Sequence, residues 1–315
     1  MLISAGPGCH PREAGPCSLY LLELGGEPSA GVVAAAKGGV GVIEAQGSPD
    51  GKRVVYLERV GKKSERIVVQ DLGTGERVVV AQRGPRERGP QWPDWLDDQT
   101  VVYNMHFNPS SHPGDQDPSL YKVSARGGKA ELMLGSGPGG QVCYSDVDIL
   151  DGKVVSHRTV PGKEKAVPAV QTSSGEVVLS GLEECHHPAW RPDGQAVACF
   201  GHGAIEVLPL PRGGAAKVRP LYLQTLKGES GLLFPIPSPE QLHKELGLLL
   251  KPRDLIAFKY PDWVDEDRVV MTVYVSRDQQ IISSQAVMIT LSTGSMTDLT
   301  PMLGEGLSAF TVSRL

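Results

Sequence analysis

The residues of this chain best suited to acid–base or metal chemistry are its eight histidines, spread over 315 positions. His186 and His187 are adjacent and follow Glu183 and Glu184, while His106, His157 and His202 each close an apolar, β-branched run. Imidazole is a common ligand of divalent metals and exchanges protons near neutral pH. The metal set read from the sequence is His106, His186, His187, His202 and Glu184, for manganese, calcium, iron or zinc. The catalytic set is His157, His186, His187 and Tyr260, with Arg158 as an anion contact. Glu183, Asp146, Glu44, Gln46 and Tyr144 are companions. His-His-Pro is no metal motif in itself, so the fold must gather these residues. The opposing reading is that the histidines only hydrogen-bond loop backbone.

The elements that would position them come from a repeat. Gln46–Glu58, Pro93–His106, Asp146–His157, Pro188–Phe200 and Pro261–Val273 each read as a strand, a tight Asp/Gly turn and a returning β-branched strand. Gly takes positive φ and Asp bonds its own backbone, which is why these residues punctuate the repeat. A second hairpin follows each first one, with turns at Gly73-Thr74-Gly75, Arg126-Gly127-Gly128, Ser173-Ser174-Gly175, Arg212-Gly213-Gly214 and Ser292-Thr293-Gly294. Each unit is therefore four strands in about 45 residues. The tail LSAFTVSRL supplies an innermost strand, and the head MLISAG, SLYLLEL and AGVVAAA supplies the other three. One blade shared by both termini closes a ring and removes exposed sheet edges.

The fold class predicted is all-β, a single six-bladed β-propeller. Its blades fall at roughly 36–82, 88–135, 140–181, 183–223, 255–300, and 305–315 with 1–35. A helical insertion over 226–254 breaks the period, with a helix predicted at 239–250 between Ser238-Pro239 and Lys251-Pro252. Leu242, Leu246 and Leu249 or Leu250 share its apolar face.

Pro188-Ala189-Trp190-Arg191-Pro192-Asp193-Gly194 and Ser48-Pro49-Asp50-Gly51 resemble the P-x-W-S-P-D-G-K repeat of the TolB-like, or PD40, propellers. Trp95, Trp190 and Trp263 share one register, and Trp92 alone lies outside it. The resemblance implies a fold rather than an activity. That family includes partner-binding proteins, gating domains of peptidases, and oligogalacturonate lyases that hold a metal through imidazoles at the propeller mouth.

In such a fold the short turns share one face and the long loops the other, where binding sites concentrate. All eight histidines fall on, or lead into, the long-loop face. The basic residues Arg59, Lys62, Lys63, Arg66, Arg83, Arg86, Arg88, Lys163, Lys165 and Arg277 join Arg158 there and could focus an anion. The expected function is binding of a small, anionic or carbohydrate-like ligand at the channel mouth. As an enzyme the protein would be a lyase, isomerase or hydrolase using a divalent metal or histidine acid–base. The alternative is a non-catalytic, TolB-like scaffold for a protein partner.

Several classes are excluded. A formal charge of −5 argues against nucleic acid as a partner. No apolar run is long enough for a membrane span. No Walker loop, dinucleotide fingerprint, G-x-S-x-G or H-E-x-x-H occurs, so no nucleotide cofactor is expected. The start lacks a secretory pattern, which predicts a cytoplasmic protein, or a periplasmic or secreted one if a leader was removed. Cys9 and Cys17 could pair, but reduced thiols are the expectation for all five cysteines, and none reads as a nucleophile.

Overall fold

A computed structural model describes residues 1–6, 17–23, 29–35, 40–60, 64–83, 87–107, 119–134, 143–159, 166–172, 175–179, 185–201, 206–304 and 307–313. It is a six-bladed β-propeller with a single α-helix among the described residues. The innermost strands are Val40–Gly47, Glu87–Asp97, Cys143–Leu150, Cys185–Trp190, Leu255–Trp263 and Ser308–Ser313. The last of these pairs with Leu2–Gly6, which pairs with Ser18–Glu23 and then Ser29–Ala34. The ends of the chain thus close the ring as the repeat requires.

Packing between blades uses the tryptophan register. Trp95, Trp190 and Trp263 are 3%, 0% and 1% exposed, so these rings are core rather than site. The Trp95 indole N–H donates to the Gln46 carbonyl of the preceding blade at 3.1 Å, and the Trp190 backbone N–H donates to the carboxylate of Asp148 in the preceding blade. Full burial of such side chains is worth about 1.5–3 kcal/mol each.

Two local readings are corrected. The turn Arg212-Gly213-Gly214 does close a hairpin, Glu206–Pro209 with Ala215–Arg219, but the hairpin does not complete blade four. It crosses to blade five and pairs, in parallel, with the start of that blade's inner strand at Leu255–Ala257. Blade four is completed by Leu221–Thr225 and Ser230–Leu232. The helix runs Pro239–Leu246, capped by Ser238, and stops where Gly247 turns left-handed at φ 66°. Leu242 and Leu246 pack into the core as expected, while Leu249, beyond the stop, is 73% exposed.

The cysteine reading is also corrected. Cys185 and Cys199 form a disulfide across neighbouring strands of blade four, with Cα atoms 5.4 Å apart. Cys17 is disulfide-bonded as well; Cys9 lies outside the described residues. The two strands bring Cys185 and Cys199 within the Cα separation a disulfide needs, which spacing in the sequence cannot reveal.

Candidate functional site: a ring of bulges around the central channel

Five of the inner strands carry the same backbone defect. In blades one to five, two residues oppose one on the neighbouring strand: Glu44-Ala45, Trp92-Pro93, Asp146-Val147, His187-Pro188 and Tyr260-Pro261. The first residue of each pair has φ of 52°, 52°, 52°, 48° and 53°. In blade six the register slips at Phe310. A β-bulge bends its strand and re-aims a side chain. Positive φ in a bulky residue is strained, and such strain clusters at functional sites.

The five re-aimed side chains converge. Glu44, Trp92, Asp146, His187 and Tyr260, with the residues that follow each, line a channel cavity of about 70 Å³. The lining comes from the bulge and the residues after it, so the cavity lies on the tight-turn side of the ring. Trp92 reaches across the channel, its ring centroid 5.0 Å from that of His187 and 6.1 Å from that of Tyr260. His187 and Tyr260 approach to 4.3 Å.

On the long-loop side of the same ring lies a polar cluster. Asp146, His157 and His186 each offer a ligand atom, and these atoms lie within 4.8 Å of one another. The Asp146 carboxylate stands 3.4 Å from His157 Nδ1 and 3.5 Å from His187 Nδ1, and it accepts the His187 backbone N–H at 3.4 Å. His157 and His186 meet edge to face at 4.2 Å. Asp146 and His157 are 8% and 7% exposed. The bulge explains how neighbours in sequence share one site. Without it His186 and His187 would point to opposite faces of the strand.

The electrostatics divide the ring. Burial opposes ionisation of Asp146, but His187, the His157 hydrogen bond and His186 outweigh it and hold this carboxyl well below the usual carboxylate range. Glu44 has no such partners. Removal from bulk water pushes it up to about 7, against the opposing pull of the Trp92 backbone N–H and Arg59. That N–H donates to Glu44 Oε2 at 3.0 Å. Burial, with the charges of Glu44 and Asp146, raises the Tyr260 phenol far above its ordinary range, so it serves as a hydrogen-bond donor rather than a base.

Of the residues read from the sequence, His157, His186, His187 and Tyr260 come together, and so do the companions Asp146 and Glu44. His202, Glu183 and Glu184 lie outside the described residues, as do the side chains of His106 and Tyr144. Arg158 does not join the cluster; its guanidinium pairs with Glu176 in blade three at 3.3 Å. Three other arginines of the anion reading are engaged in the same way. Arg59 bonds Glu65 at 3.0 Å, Arg66 bonds Glu58, and Arg277 grips buried Asp254 at 2.7 and 2.9 Å. The channel wall is acidic, not basic. Trp92 was missed as a site residue, and its place outside the tryptophan register was the available signal.

No family model matches the sequence, and no curated protein matches it. Among solved structures, TolB from Acinetobacter baumannii superposes with a TM-score of 0.57 at 14% identity, over 99% of this chain and 66% of that one. An oligogalacturonate lyase in complex with manganese gives 0.50 at 14% identity, over 81% and 70%. One from Vibrio parahaemolyticus gives 0.51 at 14%, over 81% and 68%. These likenesses establish the propeller fold that the chain shares with them.

Proposed function

We propose that the protein is a cation-dependent propeller, in which Asp146, His157 and His186 hold a divalent metal and a small polar, carbohydrate-like ligand binds against it from the long-loop side. The observation that carries this reading is the donor set of one carboxylate and two imidazoles, in which Asp146 and His157 are buried and His186 is half-buried. The ligand atoms of the set lie within 4.8 Å of one another, and donors about 2.0–2.2 Å from a shared metal fall within that separation. Imidazole with carboxylate suits manganese, iron or zinc. Of the three donor residues, Asp146 alone also lines the channel cavity, which lies on the tight-turn side of the ring. A sugar-sized ligand would rest over the ring.

A bound metal supplies Lewis-acid polarisation of a ligand oxygen. His187 is placed to exchange protons beside it, and Tyr260 to donate a hydrogen bond. Elimination at a carbon next to a carboxylate, a lyase reaction, is the class that uses those parts, and the manganese-bound lyase of similar fold supports it. The Cys185–Cys199 disulfide supports an oxidising compartment.

The test is calorimetric titration of metal-free protein with Mn²⁺ and Zn²⁺. Stoichiometric binding, lost in His157→Ala and His186→Ala, is expected; no heat for either metal would overturn the reading. The second reading, a scaffold for a protein partner, rests on a groove of about 580 Å³ between the helix and the crossing hairpin, beside exposed Leu249. Metal-free protein of full thermal stability would favour it.

A further inference from the structure

We infer that the part of the channel walled by Trp92 and Tyr260 and closed by the Glu44 carboxylate is a subsite for a primary ammonium group. It is distinct from the metal cluster: Glu44 is not among the three residues whose ligand atoms come together. The subsite needs no metal.

Three observations converge on a cation. All three residues line the same cavity, and two of them present aromatic rings, with centroids 6.1 Å apart. The face of an aromatic ring is negative and attracts an ammonium, worth about 0.5–2 kcal/mol per contact when the cation is desolvated. Second, among the described residues the lining holds carboxyl groups and no lysine or arginine. Glu44 and Asp146 supply two of these carboxyls, while Arg59, the cation felt at Glu44, is bonded to Glu65 at 3.0 Å. Third, Glu44 and Trp92 are locked together. The Trp92 N–H holds the Glu44 carboxylate at 3.0 Å, and both residues keep φ of 52°. A carboxylate fixed by the backbone of a neighbouring strained residue at a cavity is preorganised for a ligand rather than for packing.

Hydrogen bonding sets the class: an –NH₃⁺ head can donate to the Glu44 carboxylate, and a trimethylammonium cannot. The occupant is therefore an alkylamine, a lysine side chain or an amino sugar, entering head first. An ammonium beside Glu44 also replaces the solvation that burial removed, so the carboxyl ionises on binding.

The probe is n-butylammonium, titrated into metal-free protein at pH 8 and followed by tryptophan fluorescence. Trp92 is the reporter, because Trp95, Trp190 and Trp263 are buried in the core at 3%, 0% and 1% exposure. Saturable quenching by n-butylammonium and none by the neutral isostere n-butanol is expected. Glu44→Gln should weaken binding roughly tenfold, as loss of a charge partner does. Trp92→Phe keeps a ring and should still bind, by calorimetry, while the quenching disappears. Tetramethylammonium should bind more weakly than butylammonium. Equal binding of the alcohol and the amine would overturn the inference. So would a Glu44→Gln variant that folds and binds n-butylammonium as tightly as wild type, or tetramethylammonium binding at least as tightly. Because the protein is metal-free throughout, failure here leaves the metal reading standing, and failure of the metal titration leaves this one.

Discussion

The tight turns and the inner-strand bulges both recur around the ring, and both use positive φ, but they fill it differently. At the turns Gly51, Gly152 and Gly194 take φ of 68°, 72° and 66°. Glycine bears that conformation without steric cost. At the bulges the same region of φ is occupied by Glu44, Trp92, Asp146, His187 and Tyr260. The turns take glycine, or polar residues such as Asp151, Asp278 and Gln279 at φ of 50°, 48° and 67°, because their task is one of backbone geometry. The bulges hold five different side chains on one backbone shape because their task is to aim chemistry. Strain of this kind costs about 1–3 kcal/mol per residue.

Four perturbations sharpen or break that contrast. The largest should be Cys199→Ser. Cys199 stands opposite the His187-Pro188 bulge and is tied to Cys185, 14 residues away. Removing the link should lower unfolding free energy by about 3 kcal/mol, measured by denaturant titration. Wild-type protein, denatured without reductant, should show no reactive thiol at either position by mass spectrometry after alkylation. A smaller effect is expected on ligand chemistry. Asp146→Ala should weaken Mn²⁺ binding about a hundredfold while circular dichroism stays native, as loss of a charged ligand does. Gly51→Ala should leave metal affinity unchanged, and a matching loss there would erase the distinction between the two regions.

The third perturbation is pH-dependent. Glu44 is raised from an ordinary carboxyl value to about 7 in the folded protein. The folded state therefore binds the proton more tightly than the unfolded state, and stability falls as pH rises from about 4.5 through 7. Glu44→Gln keeps the acceptor for the Trp92 N–H and removes the charge. It should stabilise metal-free protein by about 1–3 kcal/mol at pH 8 and change little below pH 5. An equal gain at both pH values would contradict the burial of this carboxylate.

The smallest effects test the strain itself. Gly51→Ala meets no atom within 4 Å, so its cost of about 1 kcal/mol is purely conformational. At the bulge the sign reverses. Asp146→Gly should be about 1 kcal/mol more stable than Asp146→Ala, because both delete the carboxylate and only glycine relieves φ. Both comparisons are read from thermal unfolding.

The same contrast explains what could be read from the sequence. The ring, its closure by both chain ends and the helical insertion were legible, because Asp-Gly turns and the tryptophan register repeat in the letters. The site was half legible. His157, His186, His187 and Tyr260 were found by residue type, with Asp146 and Glu44 as companions. Trp92 was not, because a bulge has no fixed composition and only the lost register marks it. Arg158 looked like an anion contact because Glu176, its partner, lies across the blade and far along the chain. The crossing hairpin read as part of blade four because its Gly-Gly turn is local, whereas its pairing with Leu255–Ala257 is not.

The most direct measurement is an anomalous difference map from crystals of the protein loaded with Mn²⁺. The account predicts one strong peak inside the channel, about 2.0–2.3 Å from Asp146, His157 and His186. An empty map at the ring, or manganese bound only at exposed carboxylates outside it, would contradict it.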